Sequence, residues 1–438
     1  MKISGWGKYP LIKAKVKSPS SIEELILTIS KGNAIARGNG RSYGDSSISK
    51  NNTICMKNFN NIIKFNFDSG LIIVESGVLL SQIIETYLPQ GWFPKVTPGS
   101  KFVSVGGMVA CDVHGKNHHK FGSFGNCIEW IDLITDDGKI KRCSKNFNSE
   151  LFQWTIGGMG LTGIIFRVGF YLNKINTSWI KQKNIPTKNI KETFKIFEKT
   201  LDKTYSVAWI DCLSKGDELG RSIVMLGEHA EIKDLNSNMR KNPLILKKKY
   251  KIRIPFNFPS FFLNSFSMKI FNSLYYFLGK IKKKKIVDYD KYFYPLDSIL
   301  DWNKVYGKNG FAQFQCVIPL KNALVGISEL LSKISKSEST SFLTVLKRFG
   351  REERLISFPM EGYTLAIDFP LTDKNLELMK ELDKITLNHK GRFYLAKDSR
   401  MSKDILHKSD ARFKEYAEFR SSKMKISFSS DQSKRLEL

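Results

Sequence analysis

The chain has 438 residues, 42% of them hydrophobic and 12% aromatic, which excludes a disordered protein and is enough for about two or three domains with a large core. Its formal net charge of +28 favours an anionic partner such as nucleic acid, an anionic membrane surface or a phosphorylated substrate. A general bias of the sequence towards Lys, Asn and Ile would explain the same charge without a partner. Local clusters of charge are therefore better evidence for an anionic partner than the net charge is.

Cysteine use and the N-terminus bear on the compartment. The six cysteines are scattered without a Cys-x-x-Cys pair, which predicts neither a zinc site nor a disulfide framework and favours a reducing compartment. The N-terminus lacks the apolar stretch of a signal peptide, and there is no run of about 18 apolar residues to predict a transmembrane helix. We therefore expect a cytoplasmic location, with peripheral contact to the inner face of the cytoplasmic membrane as a further option.

Short strands and helices are predicted along the first part of the chain. Ser21 before an apolar, acid-containing run is typical of a capped amphipathic helix, and Asp137-Gly138 between two β-prone runs is typical of a hairpin turn. The predicted elements are a helix at 21–30, strands beginning near 34, 53 and 71, a helix at 81–91 and a hairpin at 129–143.

This region contains three glycine-rich loops. The loop "GNGRSYG" at 38–44 differs from the Gly-x-Gly-x-x-Gly dinucleotide pattern, and a plain tight turn would also explain it. The loop at 96–126 contains Gly99, Gly106, Gly107, Gly115, Gly122 and Gly125, and "GGMGLTGI" follows at 157–164. Because glycines let backbone N–H groups approach an anion closely, such density predicts a backbone wall around a flat polar ligand.

A metal site is not expected, although the second loop also holds three histidines. His114, His118 and His119 have no Asp, Glu or Cys partners at the spacing of metal ligands.

Taken in order, the three loops resemble the FAD-binding domain of the vanillyl-alcohol-oxidase-type (PCMH-type) oxidoreductases. The later motifs "AWIDC", "FYPLD", "FAQFQCVIP", "AIDFP", "YLAKDSR" and "SDQSKRLEL" resemble the branch of that family that oxidises polyprenyl-phosphate ribose. The resemblance implies a two-domain α+β fold. It places the FAD-binding domain at 1–175, a substrate-binding domain built on an antiparallel sheet at 176–391, and a C-terminal segment at 392–438 that returns to the FAD domain.

The resemblance also implies which residues hold FAD. Many members of the family tether the flavin through a histidine that follows the Gly-x-Gly pair. Arg41 stands at that place here, so we expect FAD to be bound without a covalent link. The implied contacts are Gly38, Gly40, Arg41, Ser42, Tyr43, Gly99, Val105, Gly106, Gly107, Cys111, His114, Gly115, Gly163, Ile164 and Tyr394.

Catalytic and substrate residues are carried over in the same way. Lys397 is the candidate for the electrostatic role beside the flavin and the substrate hydroxyl, and Tyr43 and His114 are candidates for proton relay. Taken alone, Lys397 would be an ordinary surface lysine. The implied substrate-binding residues are Trp209, Gln313, Gln315, Lys347, Thr364 and Lys397.

The implied reaction is oxidation of the 2'-hydroxyl of a polyprenyl-phosphate ribose to the 2'-keto sugar, after which an NAD(P)H-dependent short-chain reductase would complete an epimerisation to the arabino form. Two departures leave the exact sugar open: Ala366 replaces a cysteine that is frequent in the branch, and Thr364 replaces an asparagine. The alternatives are a soluble aldonolactone or alditol oxidase, and a basic nucleic-acid-binding protein without a redox role.

Residues 247–285 form a basic and aromatic segment, and the stretch 235–287 contains no acidic residue. Lysines that face anionic head groups and rings at the lipid boundary favour a peripheral membrane contact over nucleic acid. Burial of the rings in the core is the alternative. The aromatic residues are Phe256, Phe258, Phe261, Phe262, Phe266, Phe271, Tyr275, Tyr276 and Phe277.

Overall fold

The computed structural model describes residues 1–247, 250–259, 264–281, 283–341, 343–424 and 428–438. Mixed helices and largely antiparallel sheets fill these ranges, and the predicted α+β class is confirmed.

The N-terminal part consists of short elements. They are β1 (Lys2–Ile3), β2 (Ile12–Lys13), β3 (Val16–Lys17), α1 (Ile22–Ile29), β4 (Ala34–Arg37), β5 (Asn52–Cys55), β6 (Ile62–Phe65), β7 (Leu71–Glu75), α2 (Leu80–Tyr87), β8 (Trp92–Pro94), α3 (Val105–Ala110), α4 (His118–Phe121), β9 (Ile128–Ile134), β10 (Ile140–Ser144), α5 (Ser149–Thr155) and β11 (Ile164–Lys174).

The middle part has longer strands and helices. They are β12 (Trp179–Thr187), α6 (Ile190–Lys199), β13 (Tyr205–Ile210), β14 (Ser222–His229), α7 (Ser237–Lys241), β15 (Ile252–Arg253), α8 (Ser265–Ile281), β16 (Lys284–Asp288), α9 (Tyr289–Phe293), β17 (Ile299–Leu300), β18 (Phe311–Pro319), α10 (Leu320–Ser337), β19 (Thr344–Phe349), β20 (Gly362–Pro370) and α11 (Asp373–Asn388). The C-terminal part adds β21 (Arg392–Phe393), α12 (Lys403–Ser409), α13 (Arg412–Lys423) and α14 (Asp431–Leu436).

Local chemistry explains the elements that the sequence predicts. Ser21 accepts a hydrogen bond from the backbone N–H of Glu24 and so caps α1. The β9–β10 hairpin pairs Ile140 with Ile134, and Gly138 in its turn has φ of 75°, a conformation that favours glycine. The predicted helix, hairpin and strand positions in this part are confirmed.

Two sheets form most of the N-terminal part. Parallel strands β3, β5 and β4 make a small sheet, and a larger antiparallel sheet has the order β10-β9-β11-β7-β6, with β8 pairing with the end of β11. Helices α2 and α3 pack with this larger sheet, where Ile83, Ile84 and Met108 are fully buried.

An antiparallel sheet with the order β16-β12-β14-β13-β19-β20-β18-β21 forms the other main layer. Helices α6, α10 and α11 cover one of its faces, and residues such as Phe314 and Leu330 are fully or almost fully buried there. Side chains alternate between faces along a strand. Gln313 and Gln315, on either side of Phe314, therefore project from the opposite face, which lines a cavity.

The C-terminal segment connects both parts. β21 pairs with β18 at the edge of the large sheet, and Phe428 bridges to Ala34 in β4. Arg435 forms ion pairs with Asp45 at 2.8 Å and with Asp398 at 2.9 Å. The strands of the two large sheets divide between Lys174 and Trp179, and the domain limits at 175 and 391 stay predictions.

Candidate active site

A large cavity lies between the glycine-rich loops and the open face of the eight-stranded sheet. Its volume is about 1710 Å³, including the part that opens to solvent. One wall is largely backbone and the other carries charged and amide side chains. From the predicted set it is lined by Gly38, Gly40, Arg41, Ser42, Tyr43, Gly99, Gly106, Gly107, Cys111, His114, Gly163, Gln313, Gln315, Lys347, Tyr394 and Lys397.

The backbone wall fits a large polar ligand. At Gly99 an added Cβ would have no protein atom within 4 Å, whereas at Gly106 it would lie 2.8 Å from the Ser76 Cβ. Two buried polar atoms on this wall, Ser76 Oγ and Arg41 Nε, have no hydrogen-bond partner among the described residues. Buried polar groups are normally paired, so these atoms indicate a polar ligand that completes the wall.

Arg41 is held on this wall by aromatic contacts. Its guanidinium carbon lies 3.9 Å from the centroid of the Trp6 ring and 5.5 Å from that of Phe102. Burial lowers the pKa of Arg41, and the carboxylate of Asp297 opposes this shift. Asp297 lines the same cavity. The position after the Gly-x-Gly pair therefore holds a fixed cation and no nucleophilic imidazole.

Lys397 lies at the centre of the side-chain wall. Its Nζ is 3.5 Å from the centroid of the Tyr43 ring, a cation–π contact. Burial lowers the pKa of Lys397, and nearby Asp368 acts in the opposite direction. Asp368 is fully buried, accepts a hydrogen bond from Gln313 Nε2, and has a pKa raised by burial. A desolvated lysine and carboxyl group thus share one site, which suits proton transfer.

His114 forms the second polar group of this wall. Gln315 Nε2 lies 3.1 Å from His114 Nε2 and 3.3 Å from Thr364 Oγ1. Burial, followed by the charge of Lys347, lowers the pKa of His114 well below its usual value. The imidazole is therefore neutral, and the amide donates to Nε2 when the ring proton is on Nδ1. The Nδ1 atom is buried without a partner among the described residues.

Lys347 adds positive charge at the same end of the cavity, and Lys116, which is not a lining residue, lies close enough to feel that charge. Burial lowers the pKa of Lys347 to about 8, and burial together with the charge of Lys347 lowers the pKa of Lys116 to about 7. Lys116 Nζ donates to the Tyr292 carbonyl. Within the described ranges, neither ammonium group forms an ion pair. An anionic ligand in the cavity would supply the missing counter-charge at Lys347.

The remaining predicted residues do not line the cavity. Val105 and Ile164 are fully buried in the core, and Gly115 packs against Thr97, where a Cβ would be 2.8 Å from the carbonyl oxygen. Thr364 reaches the cavity only through its hydrogen bond with Gln315. The Trp209 ring packs against Tyr275, with centroids 4.6 Å apart.

Sequence reasoning did not select Asp368, Asp297 or Lys116. Each stands in a recognised stretch: Asp368 in "AIDFP", Asp297 in "FYPLD" and Lys116 within the second glycine loop, directly after Gly115. The signal was present, but a linear pattern does not show which polar side chain of a motif lies in or near a cavity; of the three, Asp297 lines it. Ala366, noted as a departure, does line the cavity.

Comparison with known proteins shows the family to which this chain belongs. Residues 10–144 match the FAD binding domain family. Over 449 residues the chain is 33% identical to decaprenylphosphoryl-β-D-ribose oxidase of Mycolicibacterium smegmatis, a match that covers 100% of this chain and 97% of that relative. The chain belongs to the decaprenylphosphoryl-β-D-ribose oxidase family. It is an FAD-dependent oxidoreductase, so the alternative of a nucleic-acid-binding protein without a redox role is wrong.

Two more distant relatives differ in how much of this chain they match. An uncharacterised protein of Streptomyces coelicolor is 27% identical over 376 residues, covering 82% of this chain and 100% of its own. L-gulonolactone oxidase of Bos taurus is 25% identical over 178 residues, covering 38% of this chain and 39% of its own. Because the match to decaprenylphosphoryl-β-D-ribose oxidase covers 100% of this chain, it includes the residues of both cavity walls.

FAD fits the cavity of this decaprenylphosphoryl-β-D-ribose oxidase family member. The space beside Gly99 and the unpaired Ser76 Oγ and Arg41 Nε lie on the glycine-rich wall, where a pyrophosphate and a flat ring would find donors and room.

Within the described residues, no helix is long and apolar enough to cross a membrane.

Proposed function

We propose that this enzyme oxidises the 2'-hydroxyl of a ribose carried on a polyprenyl phosphate to the 2'-keto sugar. The observation that carries the proposal is Lys347, which lines the cavity and forms no ion pair within the described residues. A neutral sugar lactone has no anion to pair with this ammonium group. A sugar attached through a phosphodiester carries that negative charge. The full-length similarity to a decaprenylphosphoryl-β-D-ribose oxidase supports the same substrate class.

The side-chain wall is suited to removing the hydroxyl proton. Bound FAD supplies the acceptor for the hydride that leaves the carbinol carbon. Lys397 has a lowered pKa, so its neutral amine is accessible near physiological pH and can accept the hydroxyl proton. Asp368, positioned by Gln313, then stabilises the ammonium ion that forms. Tyr43 and His114 border the same space, and Tyr43 keeps its phenol proton because burial raises its pKa.

We extend the proposal to a partner reaction. Oxidation at the 2' carbon yields a keto sugar, and reduction from the opposite face gives the arabino epimer. We propose that an NAD(P)H-dependent short-chain reductase consumes this product, as the sequence resemblance implies.

An anaerobic flavin-reduction experiment tests the proposal. Purified holoenzyme is mixed with farnesyl-phosphoryl ribose, free ribose, an alditol and an aldonolactone, and the loss of the visible flavin absorbance is followed. We expect rapid bleaching with the lipid-linked ribose only, and the isolated product should contain a 2'-ketone. Bleaching by free sugars or lactones at an equal or higher rate would refute the proposal.

A soluble aldonolactone or alditol oxidase is the second candidate. The similarity to L-gulonolactone oxidase over 178 residues favours it. That match covers 38% of this chain, against 100% for the decaprenylphosphoryl-β-D-ribose oxidase, so it is the weaker support. The same bleaching experiment separates the two candidates.

A further inference from the structure

Helix α8 is fixed on the large sheet by a narrow stripe of small and polar residues. Asn272 Nδ2 donates to Asp211 Oδ1 at 2.6 Å, and the Tyr276 hydroxyl donates to the Thr187 carbonyl at 3.2 Å. At Gly279 a Cβ would come within 2.7 Å of Ile223. The helix therefore packs closely against β12 and β14, with one definite side turned inward.

The opposite side of α8 is apolar and faces solvent. Phe266, Ile270, Leu274, Phe277 and Ile281 follow one another at spacings of three and four residues, which places them on a single stripe. Their side chains are between 55% and 73% exposed. Soluble proteins rarely leave a contiguous row of large apolar side chains in water without an interaction partner. We call this stripe the outer face of α8.

The charge around the outer face selects its partner. Lys269 and Lys280 lie on α8 itself, and Lys283 and Lys284 follow it directly; all four are exposed. No acidic residue occurs between positions 235 and 287. Two copies of this face would bring like charges together, which opposes self-association. An anionic lipid surface offers both the apolar boundary and the negative charge that the face lacks.

Helix α8 also lies beside the cavity, through its inward side. Tyr275, on the inward side of α8, packs on Trp209 with ring centroids 4.6 Å apart. Trp209 is the cross-strand partner of Val345, and Val345 lines the cavity. Partners in register share a face of the sheet. Helix α8 therefore sits on the cavity side of the sheet, separated from the cavity wall by one aromatic residue.

We propose that the outer face of α8 docks on an anionic lipid membrane, with its apolar side chains in the boundary between head groups and acyl chains and its lysines on lipid phosphates. This inference refines the expected contact at 247–285 and rests on the proposed function, because it explains how a lipid-linked sugar reaches the cavity. Phe261 and Phe262 lie outside the described residues and form no part of it.

Vesicle co-sedimentation of the flavin-loaded full-length protein tests the docking surface. Vesicles of phosphatidylcholine with 30% phosphatidylglycerol (roughly the proportion that makes a surface clearly anionic) are compared with phosphatidylcholine alone. We expect binding to the anionic vesicles, and at least tenfold weaker partitioning for the double variant Phe266→Ser/Phe277→Ser. Lys269→Glu/Lys280→Glu should lose a similar factor, and binding of the native protein should fall with added salt.

Phe147→Ser provides the matched control, because Phe147 is a similarly exposed phenylalanine, 60% accessible, outside the face. It should bind vesicles like the native protein, and all variants should keep their bound flavin and melting temperature. Equal binding of native protein and the Phe266/Phe277 variant would overturn the proposal, as would absence of binding to either vesicle. A concentration-dependent dimer that this variant dissolves would assign the face to a second copy instead. Because the readout is sedimentation and not turnover, failure here is distinguishable from failure of the proposed substrate.

Discussion

The two walls of the cavity are built from different parts of the polypeptide. The glycine-rich wall presents backbone groups from three glycine-rich segments that contain Gly38, Gly106 and Gly163. The sheet wall presents side chains such as Lys347 from β19 and Lys397 from a late loop. A backbone wall has the same donors in any chain that folds this way, so it suits a constant cofactor. A side-chain wall changes with each substitution, so it suits the reaction and its substrate.

Release of the cofactor by acid tests the first wall most directly. Because Arg41 occupies the place of a tethering histidine and its guanidinium packs on Trp6, FAD should be held without a covalent bond. Precipitation in trichloroacetic acid should leave all of the flavin in the supernatant. Yellow colour that stays with the precipitated chain would contradict this.

Replacement of Lys397 by methionine should have the largest effect on the side-chain wall. It removes the proposed proton acceptor, and general-base contributions are typically about 10²–10⁴-fold in rate. We expect the rate of flavin reduction in stopped flow to fall by about that factor while the FAD content stays the same. Lys384→Met, an exposed position on α11, is the control. A loss below about tenfold would remove Lys397 from the chemistry.

Gly99→Val should act on the backbone wall alone. Its Cβ has no protein atom within 4 Å, so flavin-free protein should keep its melting temperature. The branched side chain would occupy cofactor space, and overpacking of this kind costs about 1–3 kcal/mol. Titration with FAD should show weaker binding by a factor of about ten to one hundred, with Gly99→Ala between the two. Unchanged affinity would place the cofactor elsewhere.

The two lysines of the side-chain wall should respond to pH in opposite directions. The pKa of Lys347 is about 8, so affinity for a phosphate-linked substrate should fall as pH rises through that value and the positive charge is lost. Lys397 has a lowered pKa, and its neutral form is the base, so flavin reduction at saturating substrate should speed up as pH rises through that pKa. Lys347→Arg should abolish the alkaline loss of affinity without changing the rate profile.

Thr364→Val should give the smallest change. The Thr364 hydroxyl accepts from Gln315 and donates to the Cys316 carbonyl at 2.8 Å, and one such hydrogen bond is worth about 0.5–1.5 kcal/mol. The KM for the substrate should rise a few-fold, with kcat and FAD content nearly unchanged. Thr364→Ser, which keeps the hydroxyl, should resemble the native enzyme. An effect of the valine variant on FAD content would show that Thr364 acts through the fold.

The backbone wall could be predicted because its signal is compositional. Glycine density at 38–44 and 96–126 marks places where the main chain must come close to another group, and local sequence is enough to show it. The family resemblance implies Val105, Gly115 and Ile164 as part of the wall, yet Val105 and Ile164 are buried in the core and Gly115 packs against Thr97. The direction in which a side chain of a loop points depends on tertiary contacts, so local sequence does not show it.

The side-chain wall could be predicted only in part. Lys397 and Gln315 were identified through motif resemblance, but the hydrogen bond that places Gln313 beside Asp368 joins β18 to β20. Such a contact depends on strand register. For the same reason the proximity of Lys116 to Lys347 has no linear signature, because one lies within the second glycine loop and the other within β19, far apart in the chain.

By itself, the sequence determined the α+β class, the glycine loops that fit FAD and the basic, aromatic character of 247–285. Tertiary structure decided which side of α8 is buried. Helical periodicity alone would turn the stripe of Phe266, Ile270 and Phe277 towards the core, but Asn272 and Gly279 are the residues that fit against the sheet. A close approach needs small residues and satisfied hydrogen bonds, and this requirement leaves the large apolar side chains outside.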